Sequence, residues 1–457
     1  MGSAILCLSG LLGFALVNLG SARPQSAPSE VLTRDVVIVG GGSSGTYAGV
    51  RLKELGKTFA IVERNDYLGG HGETFYAQDD KPINYGVEGF FNNSVTLDYL
   101  AKLHVPYEHR VPAPAQDDYI NLRTGEKVNA KEASINQTEA LNKWVDAISQ
   151  FDFLEDGSYN FPDPVPEDLL LTFRDFVKKY EIEESVWGVF SHGSGNILDM
   201  ITLYVIQYIG VPHAAAAIQG YIRPSYGIAD LYKRASKVIG SEVLYESKIE
   251  TVKRSSKGIE VTVRSSNGKS QLIKAKQLLV TIPPTTSHLS GFALDKQEMD
   301  LFTKWHYQSY YAVLMNETGI PDGHNIINID PANQFSVPYE PFIWRIDAQR
   351  VPGYHTIKLV GNEHFSESDA RELLDSSIER MGKVGTFPTR KPEIVKWGDH
   401  TPVTMSALPE DIRNGFYKQL YALQGHQSTF YTGASWCSDY STLLWGFTEN
   451  VLRQMLA

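Results

Sequence analysis

The chain is 457 residues long, which on a prior of about 150 residues per domain suggests roughly three units. Hydrophobic residues make up 42% and charged residues 21%, the balance of a folded globular protein and not of a disordered one. A formal charge of −11 argues against a dedicated nucleic-acid binder, and two cysteines, Cys7 and Cys437, exclude a disulfide scaffold and zinc sites built on CxxC pairs.

The first element is an apolar stretch from Ala4 to Val17, followed by Gly20-Ser21-Ala22. It is shorter than the about 20 apolar residues a bilayer span requires, and small residues follow where a signal peptidase cuts. The segment reads as a signal peptide over residues 1–22, with entry to the secretory pathway and secretion expected. A buried N-terminal helix is the alternative. Cleavage would leave Cys437 as the sole thiol. Asn92, Asn136 and Asn316 each open an Asn-x-Ser/Thr sequon and are the expected glycosylation sites. Ser26–Glu30 reads as a polar linker.

Asp35–Val39 is an unbroken β-branched run, the pattern of a parallel strand buried on both faces. Gly40–Gly45 follows, then a helical stretch from Thr46 to Leu55 stopped by Gly56, then a second buried strand, Phe59–Val62, closing on Glu63. This is one βαβ unit of about 30 residues. Residues 106–166 read as loop-rich and 167–224 as mostly helical. Within the latter, Ile197–Ile209 reads as a buried amphipathic helix interrupted by Asp199 and Gln207, so no membrane span is expected there. Strand patterns return at 242–263 and 271–282. Alternating segments between His306 and Leu359 predict a second sheet. A helix is expected over Glu367–Met381, with Ser366 as N-cap and Asp369 three residues on. Strand Thr429–Tyr431 and a helix from about Thr442 complete the chain.

The glycines of the βαβ unit carry specific chemistry. Gly40 permits the tight turn, Gly42 lets the backbone approach a pyrophosphate, and Gly45 lets helix and strand pack closely. The helix N-terminus then faces the phosphates. Glu63 is placed to accept ribose hydroxyls, and its charge disfavours a 2′-phosphate, so NADP is not expected. Gly41-Gly42-Ser43-Ser44-Gly45 also spells a nucleophile elbow, but no His/Asp relay is legible downstream, and a Ser43 hydrolase is set aside. A second turn, Leu68-Gly69-Gly70-His71, lies just past the adenosine-side carboxylate, where NAD dehydrogenases need none.

In these residues the chain resembles the flavin-containing amine oxidase superfamily. Ser247–Val252 is similar to the segment whose backbone, at Ile249, meets the adenine. Val280–Pro284 is similar to the strand leading back to the substrate domain. Phe430–Ser435 with Leu443–Gly446 resembles the C-terminal flavin-holding motif, placing Gly433 and Leu444 at the cofactor. Tyr440 is the aromatic just before that motif's helix. A narrower resemblance is to secreted fungal flavoproteins of the β-cyclopiazonate dehydrogenase type. The resemblance implies an α/β fold: a Rossmann-like FAD-binding domain of the amine oxidase type with an inserted α+β substrate domain of mixed sheet and helices. The FAD domain would comprise 34–105, 225–290 and 395–457, and the substrate domain 106–224 and 291–394. FAD is the implied cofactor, held by Gly40, Gly42, Gly45, Glu63, Gly70, His71, Ile249, Gly433 and Leu444.

Two departures from the family pattern stand out. His71 replaces an arginine beside the diphosphate, and Ser435 replaces a glutamate. Histidine removes a permanent cation but adds a neutral nucleophilic nitrogen, so a covalent tether from His71 to the flavin 8α-methyl is one reading and a phosphate contact the other. Lys304 could orient a water at the flavin, and one of Tyr310 and Tyr311, which alternate across a strand, could face it. His192, His213, His288 and His400 show no ligand spacing, so no metal is expected. Trp397-Gly398-Asp399-His400 sits where the family has a flavin-face segment. Cys437 reads as a small buried thiol.

The implied activity is an oxidoreductase that takes a hydride from a carbon next to nitrogen, or from an activated ring, of a hydrophobic small molecule, with oxidative ring closure of a prenylated indole alkaloid the narrower version. An amine or amino-acid oxidase producing hydrogen peroxide, a redox-neutral isomerase, and a non-catalytic flavin- or ligand-binding protein are the alternatives. Neither the electron acceptor nor the oligomeric state is legible.

Overall fold

A computed structural model describes residues 31–192 and 195–457. The expected signal peptide and linker lie outside the described residues. Two sheets organise the rest.

The first sheet has seven strands. Val31–Val39 lies at its centre, parallel to Phe59–Val62 on one side and to Ser270–Val280 on the other. Val243–Leu244 extends it beyond Phe59–Val62. Ser247–Ser255 and Gly258–Ser265 form an antiparallel meander with Ser270–Val280, and Thr429–Tyr431 pairs parallel with the end of that strand. The unbroken apolar runs follow from burial on both faces. Val36 and Ile38 join a core with helices Ser43–Glu54, Ile228–Ile239 and Ser441–Leu456, while Val37 and Val39 join the opposite core.

The second sheet has eight strands. His306–Asn316 is flanked by Tyr354–Asn362 and Glu393–Asp399, and the sheet continues through Phe342–Ala348 and His324–Asn328 to Gln116–Asn121 and Glu126–Lys127. Helix Glu367–Lys383, capped by Ser366 and Asp369 as the sequence predicts, covers one face. Tyr311, Val313, Met315, Ile357 and Leu359 point into that core, so their strand neighbours Tyr310 and Lys358 point the other way.

Three expectations shift. The boundary at 395 falls inside Glu393–Asp399, which pairs with His306–Asn316 as Val403–Ser406 also does, so these strands belong to the second sheet. The stretch expected to be loop-rich carries strand Gln116–Asn121 and helix Gln137–Ile148. That strand hides among charged residues because a parallel partner, His324–Asn328, recruits it from over 200 residues away. Ile197–Ile209 is helical only over Thr202–Tyr208. Among the described residues, no helix is long and apolar enough to cross a membrane.

Candidate active site

The glycine turn has the geometry of a phosphate cradle. Gly40 takes φ +99°, open to glycine at low cost, and a Cβ at Gly45 would lie 2.0 Å from the Gly40 carbonyl, so only glycine lets helix Ser43–Glu54 pack there. A Cβ at Gly42 would meet nothing within 4 Å, leaving open space before the helix N-terminus. That terminus has no side-chain cap and no acidic residue in its first turn. The second turn closes on the first: Gly69 N–H donates to the Gly41 carbonyl at 2.8 Å, and Gly70 (φ +53°) passes close to Gly42.

Glu63 is buried at the end of its strand. Its carboxylate accepts from Gly41 N–H at 2.6 Å and Asn65 N–H at 2.8 Å, leaving lone pairs for ribose hydroxyls. Ser247 N–H donates to the Glu63 carbonyl at 2.8 Å, which brings the half-buried Ile249 and the bulge after it alongside. Gly433 (φ +111°) approaches Thr281, and Leu444 is buried in the first turn of Ser441–Leu456. This second helix N-terminus also lacks a side-chain cap and early acidic residues. Two bare positive helix ends suit a pyrophosphate and the edge of a flavin that becomes negative on reduction. The residues present therefore fit FAD.

Between the second sheet, the helical segment and Ser441–Leu456 lies a cavity of about 750 Å³. His71 and Tyr310 open into it. The His71 ring stacks on His400, centroids 4.0 Å apart and planes 8° apart, and His400 Nε2 is paired with Glu73 at 2.9 Å. Enclosure by the protein, with His400 and then Arg64 nearby, pushes the His71 imidazole well below its ordinary pKa, so it is neutral.

Lys304 and Tyr311 are not in the cavity. Lys304 pairs with Asp411 at 2.6 Å away from it, and Tyr311 donates to the buried Phe365 carbonyl at 3.1 Å in the core beneath Glu367–Lys383. Ser43 Oγ accepts from Trp445 Nε1 at 2.9 Å, and among the described residues no histidine bonds to it, as a hydrolase would require. Cys437 is fully buried, and burial raises its thiol pKa. His288 bonds to the Pro283 carbonyl outside the cavity.

Sequence reasoning missed several groups that the fold brings to this space. Glu88 is bridged by Arg110 and, at 2.8 Å, by Lys358. Burial alone would raise the Glu88 carboxyl, but these two cations outweigh it and hold it well below the usual range. Arg345 pairs with Asp347 at 2.6 Å. His192 and His213, set aside as isolated, both line the cavity. Burial pushes the His213 imidazole down to about 3, so it is neutral. It bonds the Tyr208 carbonyl through Nδ1 and the Tyr440 hydroxyl through Nε2, the latter at 3.1 Å. Asp439 faces the cavity directly before Tyr440. Its only sequence signal is its place beside the C-terminal motif.

A glycine-built dinucleotide cradle, a second uncapped helix end and an aromatic cavity beside the second sheet fit an FAD-dependent oxidoreductase. The family model for flavin-containing amine oxidoreductases matches residues 44–444, and the chain belongs to that family. It is 56% identical over 449 residues to β-cyclopiazonate dehydrogenase from Aspergillus flavus, covering 98% of both chains. It is 31% identical over 460 residues to the FAD-dependent oxidoreductase pigF of Monascus ruber, covering 98% of this chain and 97% of that one. Among solved structures, the CLA-producing fatty acid isomerase from P. acnes shares the fold, with a TM-score of 0.75 at 15% identity over 93% of this chain and 99% of that one.

Proposed function

We propose that this FAD-dependent oxidoreductase is a secreted dehydrogenase that removes a hydride from a carbon next to nitrogen, or on an activated ring, of a hydrophobic ring-containing metabolite, as in oxidative closure of a prenylated indole. The observation that carries the reading is the cavity beside the flavin-edge helix, walled by Tyr221, Tyr310, Trp344 and Tyr440, with Glu88 and Asp347 each paired to cations. Such walls stack on a planar ring. The whole-length identity to β-cyclopiazonate dehydrogenase supports the same substrate class.

When bound, the flavin supplies the hydride acceptor. The chain supplies position and charge. The bare N-terminus of Ser441–Leu456 would stabilise negative charge at the ring edge, Tyr310 and Trp344 would orient the substrate, and enclosure would exclude water. His71 would hold the flavin covalently. Its imidazole is neutral, open to the cavity and without a hydrogen-bond partner among the described residues, the state in which a ring nitrogen is nucleophilic. Secretion rests on the signal-like first 22 residues and on exposed Asn92 and Asn136, which would carry glycans. Asn316 is a poorer acceptor, with its side-chain oxygen buried.

Anaerobic mixing with β-cyclopiazonate tests the function: bleaching of the oxidised flavin spectrum is expected. Bleaching by simple amines or amino acids in its place would favour the peroxide-producing oxidase. Acid precipitation tests the tether. Yellow colour should stay with the wild-type pellet and leave with the supernatant of His71→Ala.

A further inference from the structure

Three carboxylates line the cavity, and two are neutralised. Glu88 lies between Arg110 and Lys358, and Asp347 holds Arg345. The third, Asp439, has no hydrogen-bond or ion-pair partner among the described residues. Its side chain is exposed to the cavity space, so a cofactor and substrate filling that space would strip its water and leave a carboxylate without a partner, a cost that an asparagine or serine there would avoid and that calls for a chemical reason. Its place supplies one. It stands two residues before Ser441, at the mouth of the helix end that faces the flavin edge.

Around it are Cys437 and Tyr440 on its own segment, Tyr310 from the second sheet, and His400 from the loop after Glu393–Asp399, with the His71 ring stacked on His400. Glu88 reaches Tyr310 as well but is neutralised by its own cations. Two histidines nearby are engaged. His400 is paired with Glu73, and His213 is held between the Tyr208 carbonyl and Tyr440. That leaves Asp439, among the described residues, as the one carboxylate lining the cavity without a partner.

We propose that Asp439 is the catalytic base of the oxidation, taking the proton from the substrate N–H or O–H as hydride leaves the adjacent carbon. This rests on the hydride-abstraction reading above. The C–H bond breaks with its electron pair passing to the flavin, which is reduced. The N–H or O–H bond breaks with its proton passing to the Asp439 carboxylate, and the electron pair left behind forms the new C=N or C=O bond. The substrate thus loses two electrons and two protons, and the Asp439 carboxyl returns its proton to water after product leaves.

Desolvation by the protein around the cavity raises the Asp439 carboxyl to about 6, with His400 offsetting part of the rise, which places the base close to neutral pH. Rate should therefore fall as pH drops through this value and the carboxylate is protonated.

The test is anaerobic stopped-flow reduction of the holoenzyme by β-cyclopiazonate across pH 5–8, with Asp439→Asn and Asp439→Glu beside wild type. Asp439→Asn should bleach about 100-fold or more slowly and lose the acid limb, as expected for removal of a general base. Substrate affinity, read from perturbation of the oxidised flavin spectrum, should stay near that of wild type, and Asp439→Glu should restore the acid limb. An Asn variant with wild-type rate and acid limb overturns the assignment. A second readout needs no substrate: the oxidised flavin absorbance of wild type should titrate near pH 6 and that of Asp439→Asn should not. Absence of this titration in wild type also overturns it, even if the Asn variant fails to fold. Failure of wild type to bleach with β-cyclopiazonate while the titration is present would refute the substrate reading and leave the enclosed base standing.

Discussion

Gly42 and Gly45 lie three residues apart in one turn, yet a methyl group added to each has a different physical consequence. At Gly42 the backbone is at φ −67° and ψ −167°, open to any residue, and the new Cβ meets no protein atom within 4 Å. Gly42→Ala should leave the apoprotein as stable as wild type, or more stable by about 0.4–1 kcal/mol through a less flexible unfolded chain. The empty space is where the pyrophosphate fits, so the methyl should cost FAD binding about 1–3 kcal/mol, the usual scale of overpacking. That is roughly a 5- to 150-fold rise in Kd. At Gly45 the added Cβ would sit 2.0 Å from the Gly40 carbonyl oxygen and 2.9 Å from Thr281 Oγ1. The turn itself must move, so Gly45→Ala should destabilise the apoprotein by about 1–3 kcal/mol or more. Melting curves of apoprotein from riboflavin-starved cells and quenching of FAD fluorescence on titration separate the two effects. Where FAD is tethered, the binding series uses the His71→Ala background. A Gly42→Ala apoprotein that melts below wild type, or that binds FAD as tightly, would refute the cradle.

Adjacent tyrosines should likewise part. Tyr311→Phe loses a buried hydrogen bond to the Phe365 carbonyl and should cost about 1 kcal/mol of stability with activity retained, whereas Tyr310→Phe should change substrate affinity and leave the melting temperature alone. Arg254 and Glu298 form an ion pair whose side chains are 1% and 0% exposed, so Arg254→Met should cost about 3–5 kcal/mol by stranding a buried carboxylate, measured by denaturant unfolding. Glu88 has a folded pKa below its ordinary 4.5, so the unfolded chain binds its proton first on acidification. Its stabilisation is present above that value and lost as pH falls below it. Thermal melts should place Glu88→Gln below wild type at pH 7, with the gap closing as pH drops.

What was legible in the sequence divides along a physical line. The cofactor half of the site is built largely from backbone: glycines at fixed spacing, two helix ends and the carboxylate closing a strand. Each is a local constraint that a short stretch of residues announces. The substrate half is built from side chains that meet only through tertiary structure. Glu88 and Lys358 lie 270 positions apart, and nothing near either reveals the other. Alternation at Tyr310 and Tyr311 shows that one must face away from the core, but which one depends on the side taken by helix Glu367–Lys383. Lys304 looked plausible from its position alone, and its partner Asp411 is 107 residues downstream.

The same division bears on how specificity arises in this fold. A cradle made of main-chain groups recognises what every FAD shares and tolerates wide change elsewhere, consistent with a common fold at 15% identity to a fatty acid isomerase. Discrimination among substrates then falls to the second sheet and the helical wall, where Trp344, Lys358 and Tyr310 alternate outward from strands whose other faces are locked in a core. Pairing Glu88 with Arg110 and Lys358 leaves one net positive charge and pairing Asp347 with Arg345 leaves none, so both carboxylates are neutralised without removing polar atoms. On the reading proposed above, such a cavity takes an apolar ring and keeps one carboxylate, Asp439, free to take a proton.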